Sequence, residues 1–303
     1  MADLTPEGDR AQVLLVAALA LGVTFVALAL IVNSAIYTEN LASRGDTTGG
    51  ETVIQYRSDL ARGVGEVLGH ENRDGTSHSG IETAIDTAVS DIDEVLTRNN
   101  VLLGATSDAT VSGSVEGALI NQTDPSRPYT DAGDNDDWVV ARNIDRTRAF
   151  RFNVSRGLLT SDFTVTVTDG SDDWELTFED PGSGIEVEVD DGGTTATCGP
   201  VAESYVVVDV TGGTVGGEEC DALSFGDAPA SGYDIVFSHG DDAGGTYSLV
   251  VDNGTLATSP PSAFGMQPAV SHALYSVDVS YDFQTADTRV NSTIRVAPGE
   301  ADG

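Results

Sequence analysis

Lysine is absent from this chain of 303 residues: all 14 cations are Arg, set against 49 Asp and Glu. Schiff-base chemistry, which needs a Lys amine, is therefore excluded. The formal net charge is −35, a field that repels nucleic acid and anionic membrane surfaces. Histidine (4), cysteine (2) and tryptophan (2) are scarce as well. Two Cys alone lack the ligands for a zinc site. His70 and His78 share a polar connector, but no third ligand follows at metal spacing. His239, in Ser238-His239-Gly240-Asp241, joins the residue types of a catalytic triad in sequence, whereas triads assemble in space. No Gly-x-Ser-x-Gly elbow, phosphate loop or dinucleotide fingerprint occurs. The acidic loops 131–137 and 240–245 offer oxygen ligands without the spacing of an EF-hand. These absences predict no catalytic residue, no metal site, no cofactor and no nucleic-acid partner. A hydrolase would need His239 or His272 to meet a Ser and an acidic partner in one cleft.

What is present begins with one long apolar run. Ala11–Val32 holds 22 residues without a charge. As a helix it spans about 33 Å, enough for a bilayer core. No second such run exists, so the reading is a single-pass anchor with the lipid bilayer as its partner. A secretory signal is the alternative, with Asn33-Ser34-Ala35 as its site. The helical pattern continues through Ile36 and Leu41 to Arg44, giving a helix of about 50 Å.

The Asp-rich, Lys-free composition resembles that of proteins from extreme halophilic archaea, where multimolar salt shortens the Debye length to below about 3 Å. The leader ending in Asp9-Arg10-Ala11, followed at once by the apolar helix, resembles the N-terminus of archaeal type IV pilins and archaellins. The resemblance implies cleavage by a prepilin-type peptidase between Ala11 and Gln12, with Arg10, Ala11 and Gln12 as the processing residues. It also implies that the exposed helix packs against other pilin-like subunits. The chain departs from bacterial pilins in carrying Val16 where many of them have Glu. Ile36–Arg44 is similar to a segment that follows the anchor in uncharacterised haloarchaeal membrane proteins.

Cys198 and Cys220 enclose a loop of roughly 20 residues, whose closure by a disulfide stabilises by about 3 kcal/mol. That bridge needs an oxidising compartment; the alternative is two free thiols. Four Asn-x-Ser/Thr sequons stand at Asn121, Asn153, Asn253 and Asn291. Phe150, Phe152 and Val154 form an apolar face from which Asn153 points away. Val290, Ile294 and Val296 do the same for Asn291. Asn253 lies in the turn Asp252-Asn253-Gly254, and Asn121 is placed in a polar loop. All four read as accessible to glycans, which places the C-terminal part outside the cell.

Helical spacing recurs over Val53, Ile54, Leu60, Ala61, Val64, Val67 and Leu68. It returns over Ile81, Ile85, Ala88, Ile92 and Val95, spaced 4-3-4-3 as a short heptad seam. Ser79-Gly80-Ile81-Glu82 predicts a capping box starting the second helix at Ser79, and Asn99-Asn100 a stop. From about Val111 the period becomes two. Phe163/Val165/Val167, Trp174/Leu176/Phe178, Ile185/Val187/Val189, Tyr233/Ile235/Phe237, Tyr247/Leu249/Val251 and Tyr275–Phe283 alternate with Thr, Ser, Asp and Glu. About nine or ten strands with one apolar face each predict two antiparallel sheets packed as a β-sandwich. Trp138 and Trp174 fall within strand patterns and read as core.

The expected class is α+β: a polar leader at 1–11, a transmembrane helix extended outside the membrane at 12–44, a helical hairpin at 45–105, and a β-sandwich ectodomain with an acidic tail at 106–303. The functional expectation is a non-enzymatic cell-surface protein, pilin-like at its N-terminus. An adhesin or ligand-binding ectodomain is the alternative.

Overall fold

The computed structural model describes residues 50–102, 104–225, 232–252, 255–256 and 267–301. The chain forms two units, Met1–Tyr56 and Arg57–Gly303; of the first, residues 50–56 are described, and they are helical. The run Ala11–Val32, the processing residues Arg10, Ala11 and Gln12, and the sequon Asn253 lie outside the described residues. Among the described residues no helix is long and apolar enough to cross a membrane.

Residues 50–74 form α1 and His78–Leu102 form α2. The buried stripe of α1 is Tyr56, Leu60, Val64, Leu68 and Asn72, one residue per turn. On α2 it is Ile81, Ile85 and Val89. The heptad seam is therefore displaced: Val95 is exposed and Val89 takes the buried place. The physical reason is that α2 packs on a sheet as well as against Gly63 of α1, so its apolar stripe follows the four-residue ridge rather than a two-helix seam. At Gly63 a methyl group would come within 3.1 Å of Ile92 Cδ1, which sets how closely the helices approach. The N-cap is Ser77, two residues before the expected Ser79: its Oγ accepts the amide of Gly80 at 3.2 Å. Glu82 does not close a capping box; it accepts from the Ser114 hydroxyl at 2.6 Å. The helix runs past Asn99-Asn100 to Leu102, beyond which Gly104 adopts φ +76, a left-handed conformation suited to a helix terminus.

Every described strand pair is antiparallel. In chain order the strands are β1 (Thr106–Gln122), β2 (Trp138–Ile144), β3 (Thr147–Ser155), β4 (Phe163–Thr168), β5 (Asp173–Glu179), β6 (Ile185–Asp190), β7 (Thr195–Val201), β8 (Tyr205–Asp209), β9 (Thr214–Val215), β10 (Glu218–Glu219), β11 (Tyr233–Ser238), β12 (Gly245–Asp252), β13 (Thr255–Leu256), β14 (Ala269–Gln284) and β15 (Arg289–Val296). One sheet has eight strands in the order β10-β9-β8-β3-β12-β1-β14-β15; the other has seven, β13-β2-β11-β4-β5-β6-β7. Their inner faces share one core, the arrangement of a β-sandwich.

The alternation expected from sequence is visible residue by residue. Phe163, Val165 and Val167 are buried while Thr164, Thr166 and Thr168 are half-exposed, and the same holds along β5 and β6. Trp138 and Trp174 are both buried, as their strand patterns predict. Phe152 stands at the middle of the aromatic core, with Phe163, Phe178, Phe237 and Tyr247 at centroid separations of 5.2 to 6.0 Å. Such offset and edge-on pairs add to plain area burial.

Two features bind the sheets beyond this core. Cys198 on β7 and Cys220, just after β10, form a disulfide. β7 and β10 are the edge strands of different sheets, so the bridge ties one sheet to the other along an open side. The long pair β1/β14 carries register shifts at Val111/Gly113 and Val115/Glu116. At the second, Ser276 pairs with Val115 and Leu274 with Glu116, which leaves Tyr275 as the extra residue. Asn72 of α1 then meets the backbone of Leu274 twice: its Nδ2 donates to Leu274 O at 2.8 Å and its Oδ1 accepts from Leu274 N at 2.9 Å.

Candidate functional site

α2 packs on β1 and β14, and thereby covers one part of the outer face of the eight-stranded sheet. Beside it, across β8, β3, β12 and the end of β1, that face carries a groove of about 430 Å³. Strand register builds its floor. Asp209, Arg151, Ser248 and Asn121 stand in one cross-strand row. Val207, Asn153 and Thr246 form the next. Neighbours two residues apart on a strand share a face, so Asn121 and Asn153 open on the same groove. Across two strand spacings and one pleat repeat their Cα atoms lie about 12 Å apart.

In a chain of net charge −35, the one cation of this floor, Arg151, is paired to Asp209 at 2.6 Å. The remaining lining residues are the amides Asn121 and Asn153, the hydroxyls Thr123, Thr246 and Ser248, and Val207, Phe152 and Tyr247. Val207 and Tyr205, on one face of β8, are about half exposed, at 48% and 50%. The Oδ1 of Asn153 is buried and makes no hydrogen bond.

The placement of Asn121 corrects the loop expected from sequence. It is the penultimate residue of β1, paired with Ser248 on one side and Ala269 on the other. Gly113, Gly117 and the Ser residues of β1 blur its alternation, and pairing with β12 and β14 holds it extended nonetheless. Asn153 points away from Phe150, Phe152 and Val154, which are buried as expected. Asn291 is exposed on β15, an edge strand.

His70 and His78 lie on different helices. His70 lies on α1 with its Nδ1 3.2 Å from Asp74 Oδ2; the connector after α1 is shorter than its polar sequence implied. His78 opens α2 and packs edge-on against His272 with ring centroids 4.5 Å apart. Its Nε2 is 2.9 Å from Gly117 O and its Nδ1 is 3.3 Å from Glu116 Oε2. His239 is exposed, at φ +57, and its amide donates to Asp137 Oδ1 at 3.1 Å.

In the acidic loops the carboxylates bond to nearby protein groups. Asp131 accepts from the amides of Gly133 and Asn135 at 2.7 and 2.9 Å. Burial raises its pKa, but these bonds, the Asn135 side chain and Arg127 outweigh that and hold it below the ordinary carboxylate value. Asp242 accepts from the Thr160 hydroxyl at 2.9 Å. Among the described residues no three His, Cys, Asp or Glu side chains converge as a metal site.

A cluster that sequence reading missed surrounds Tyr275. The guanidinium carbons of Arg146, Arg148 and Arg295 lie 5.4, 5.7 and 5.7 Å from its ring centroid. Arg148 is only 2% exposed. It donates to Tyr275 O at 2.6 Å, Pro298 O at 2.8 Å and Leu274 O at 2.9 Å. Burial lowers its pKa to about 10, so it stays charged at neutral pH. Tyr275 donates to Glu300 Oε1 at 2.8 Å, and Arg295 pairs with the same carboxylate. Buried Asp252 holds Arg146 at 2.9 Å. The cluster fastens residues 298–300 to β3 and β14. Its only sequence signal is the alternation Arg146-x-Arg148 at the start of a strand.

Residues 7–169 match a family of unknown function, DUF7261. The match spans more than half of the chain, and the chain belongs to that family. No curated protein and no solved structure matches it.

Proposed function

We propose that this member of the DUF7261 family is a non-enzymatic cell-surface protein, anchored by its N-terminal apolar run and acting as a pilin-like subunit, with the two-sheet unit outside the cell. One observation carries the reading: the only two Cys of the chain form a bridge between edge strands of opposite sheets. Bridges of this kind persist where the surroundings are oxidising. The run Ala11–Val32 supplies the anchor and the bilayer its partner. The halophilic composition adds an archaeal surface as the setting. A prepilin-type peptidase acting at Arg10-Ala11-Gln12 and other pilin-like subunits complete the set of partners.

The test is covalent. The protein is expressed in a haloarchaeal host with and without its prepilin peptidase, and the N-terminus of the membrane-extracted chain is read by mass spectrometry. A chain beginning at Gln12 only when the peptidase is present supports the pilin-like subunit. A chain that retains its leader in both strains rejects processing and leaves a signal-anchored protein.

A second reading, a ligand-binding or adhesive ectodomain, is favoured by the neutral groove on the eight-stranded sheet. Retention of purified protein on immobilised cell-surface polysaccharide, abolished by substitution of Ser248 and Thr246, would favour it over the first.

A further inference from the structure

The groove contains two sequon asparagines, Asn121-Gln122-Thr123 and Asn153-Val154-Ser155, and a half-exposed apolar strip beside them. The geometry points to a shared modification site: N-linked glycans on Asn121 and Asn153 occupy this groove, and the one on Asn153 covers Val207 and Tyr205. The inference rests on the surface-exposed reading above and extends it to what fills the open half of the sheet.

Three observations converge. Asn153 stands directly opposite Val207 in the β3/β8 register, with Ser155 opposite Tyr205. The first sugar on Asn153 therefore lies over the two exposed apolar residues of β8. Secondly, Asn153 lines the groove, and its buried Oδ1 makes no hydrogen bond, so no Oδ1 hydrogen bond within the chain is given up when a sugar is joined to Nδ2. Thirdly, the polar side chains of the lining are amides and hydroxyls, set among Phe152, Tyr247 and Val207, and its one cation is already paired. Such groups donate to and accept from sugar hydroxyls without a charge to desolvate. A separation of about 12 Å leaves room for two chains side by side.

The chemical step is a glycosyl transfer. A bond forms between Asn153 Nδ2 and the anomeric carbon of the sugar. The bond broken joins that carbon to a phosphate oxygen of a lipid-linked sugar donor. The amide gives up one N–H proton, which leaves with the released lipid phosphate, and nothing is oxidised or reduced.

The fold also sets when this occurs. Asn153 lies inside β3, bonded to β8 and β12 on both sides, and Ser155 is 8% exposed. An enzyme cannot surround that acceptor in the folded chain, so transfer to Asn153 precedes folding. Asn291, Ser292 and Thr293 are exposed on β15, so this sequon remains open afterwards.

The experiment uses the full-length protein from membranes of a host that N-glycosylates surface proteins. Without Lys, trypsin cuts at Arg alone. Phe152–Arg156 reports Asn153, Asn99–Arg142 reports Asn121, and Val290–Arg295 reports Asn291. Sugar on the first two peptides is the expected result, with N153Q removing one glycan mass from the intact protein. Sugar on Val290–Arg295 with Phe152–Arg156 unmodified would overturn the inference while leaving the surface reading intact. No sugar on any of the three removes the inference, and N-terminal processing then judges the surface reading separately. In a second arm, unglycosylated folded protein is offered to host membranes with the lipid-linked donor. Modification of Asn291 but not Asn153 is expected; equal modification of both would refute transfer before folding.

Discussion

Arg148 touches Tyr275 in two ways at once: its Nε donates to the Tyr275 carbonyl at 2.6 Å while its guanidinium lies 5.7 Å from the centre of the same residue's ring. Tyr275 is the extra residue of a bulge, so its carbonyl and that of Leu274 lie off the regular ladder. A planar fork reaches both and Pro298 O as well. Replacing Arg148 by Met strips buried carbonyls of donors, at a cost of about 3–5 kcal/mol. Arg148→Lys recovers only part, because a single ammonium cannot serve three carbonyls in fork geometry. Denaturant unfolding in multimolar KCl measures both.

Asn72 and Leu274 make a smaller version of the same repair. The side-chain amide imitates a strand neighbour, donating to and accepting from one backbone residue. Asn72→Leu keeps the volume near and removes both bonds. The expected loss is about 1–3 kcal/mol, from the Leu274 amide left unpaired, while Leu274 O keeps the bond from Arg148. Hydrogen exchange should show the Leu274 amide losing protection first, with the strands of the seven-stranded sheet little changed.

The bridge Cys198–Cys220 closes a separation of 22 residues. In the chain-entropy account a loop of this size stabilises by about 3 kcal/mol. A double Cys→Ser variant, or the wild type under reductant, should unfold at lower temperature by that equivalent. Because β7 and β10 are edges of different sheets, the loss should be felt as fraying of those two edges rather than of the aromatic core.

Acid should unfold the protein at the carboxyl range and not before. Hydrogen bonds from Arg156, then from the amide of Gly182, hold Asp180 below its ordinary pKa. Asp169 is lowered first by the amide of Asp172, and Asp191 first by that of Thr194. A folded-state pKa below the unfolded one stabilises above the unfolded value, about 3.9 for Asp, and that contribution is lost as pH falls through the folded value. The unfolding midpoint should stay flat from pH 7 to about 5 and fall below about 4. Asp180→Asn should make that fall shallower, as thermal melts across the range would record.

Much of this was legible in the chain. Strict alternation in β4, β5 and β6 puts every apolar side chain on one face, so the two-sheet arrangement and the burial of Trp174 follow from period alone. Helical spacing located both helices, because a stripe of Leu, Val and Ile survives whichever surface covers it. The direction of Asn153 followed from its neighbours Phe152 and Val154. Val95 was misplaced because a heptad and a four-residue ridge share most of their positions and differ only in the partner. Asn121 was misplaced because Gly and Ser erase alternation, and pairing on both sides, a non-local property, kept it in β1.

The sequence by itself determined the composition of charge, the strand and helix periods, the two cysteines and the sequon positions, since each is a property of the residues or of their near neighbours. Only the tertiary structure decided that β7 and β10 meet through the bridge, that three Arg gather on Tyr275, and that Asn121 and Asn153 share one groove. These depend on which strands become neighbours and in what register. A one-residue slip in register would send Asn153 to the opposite face, so no local pattern could have placed it beside Val207.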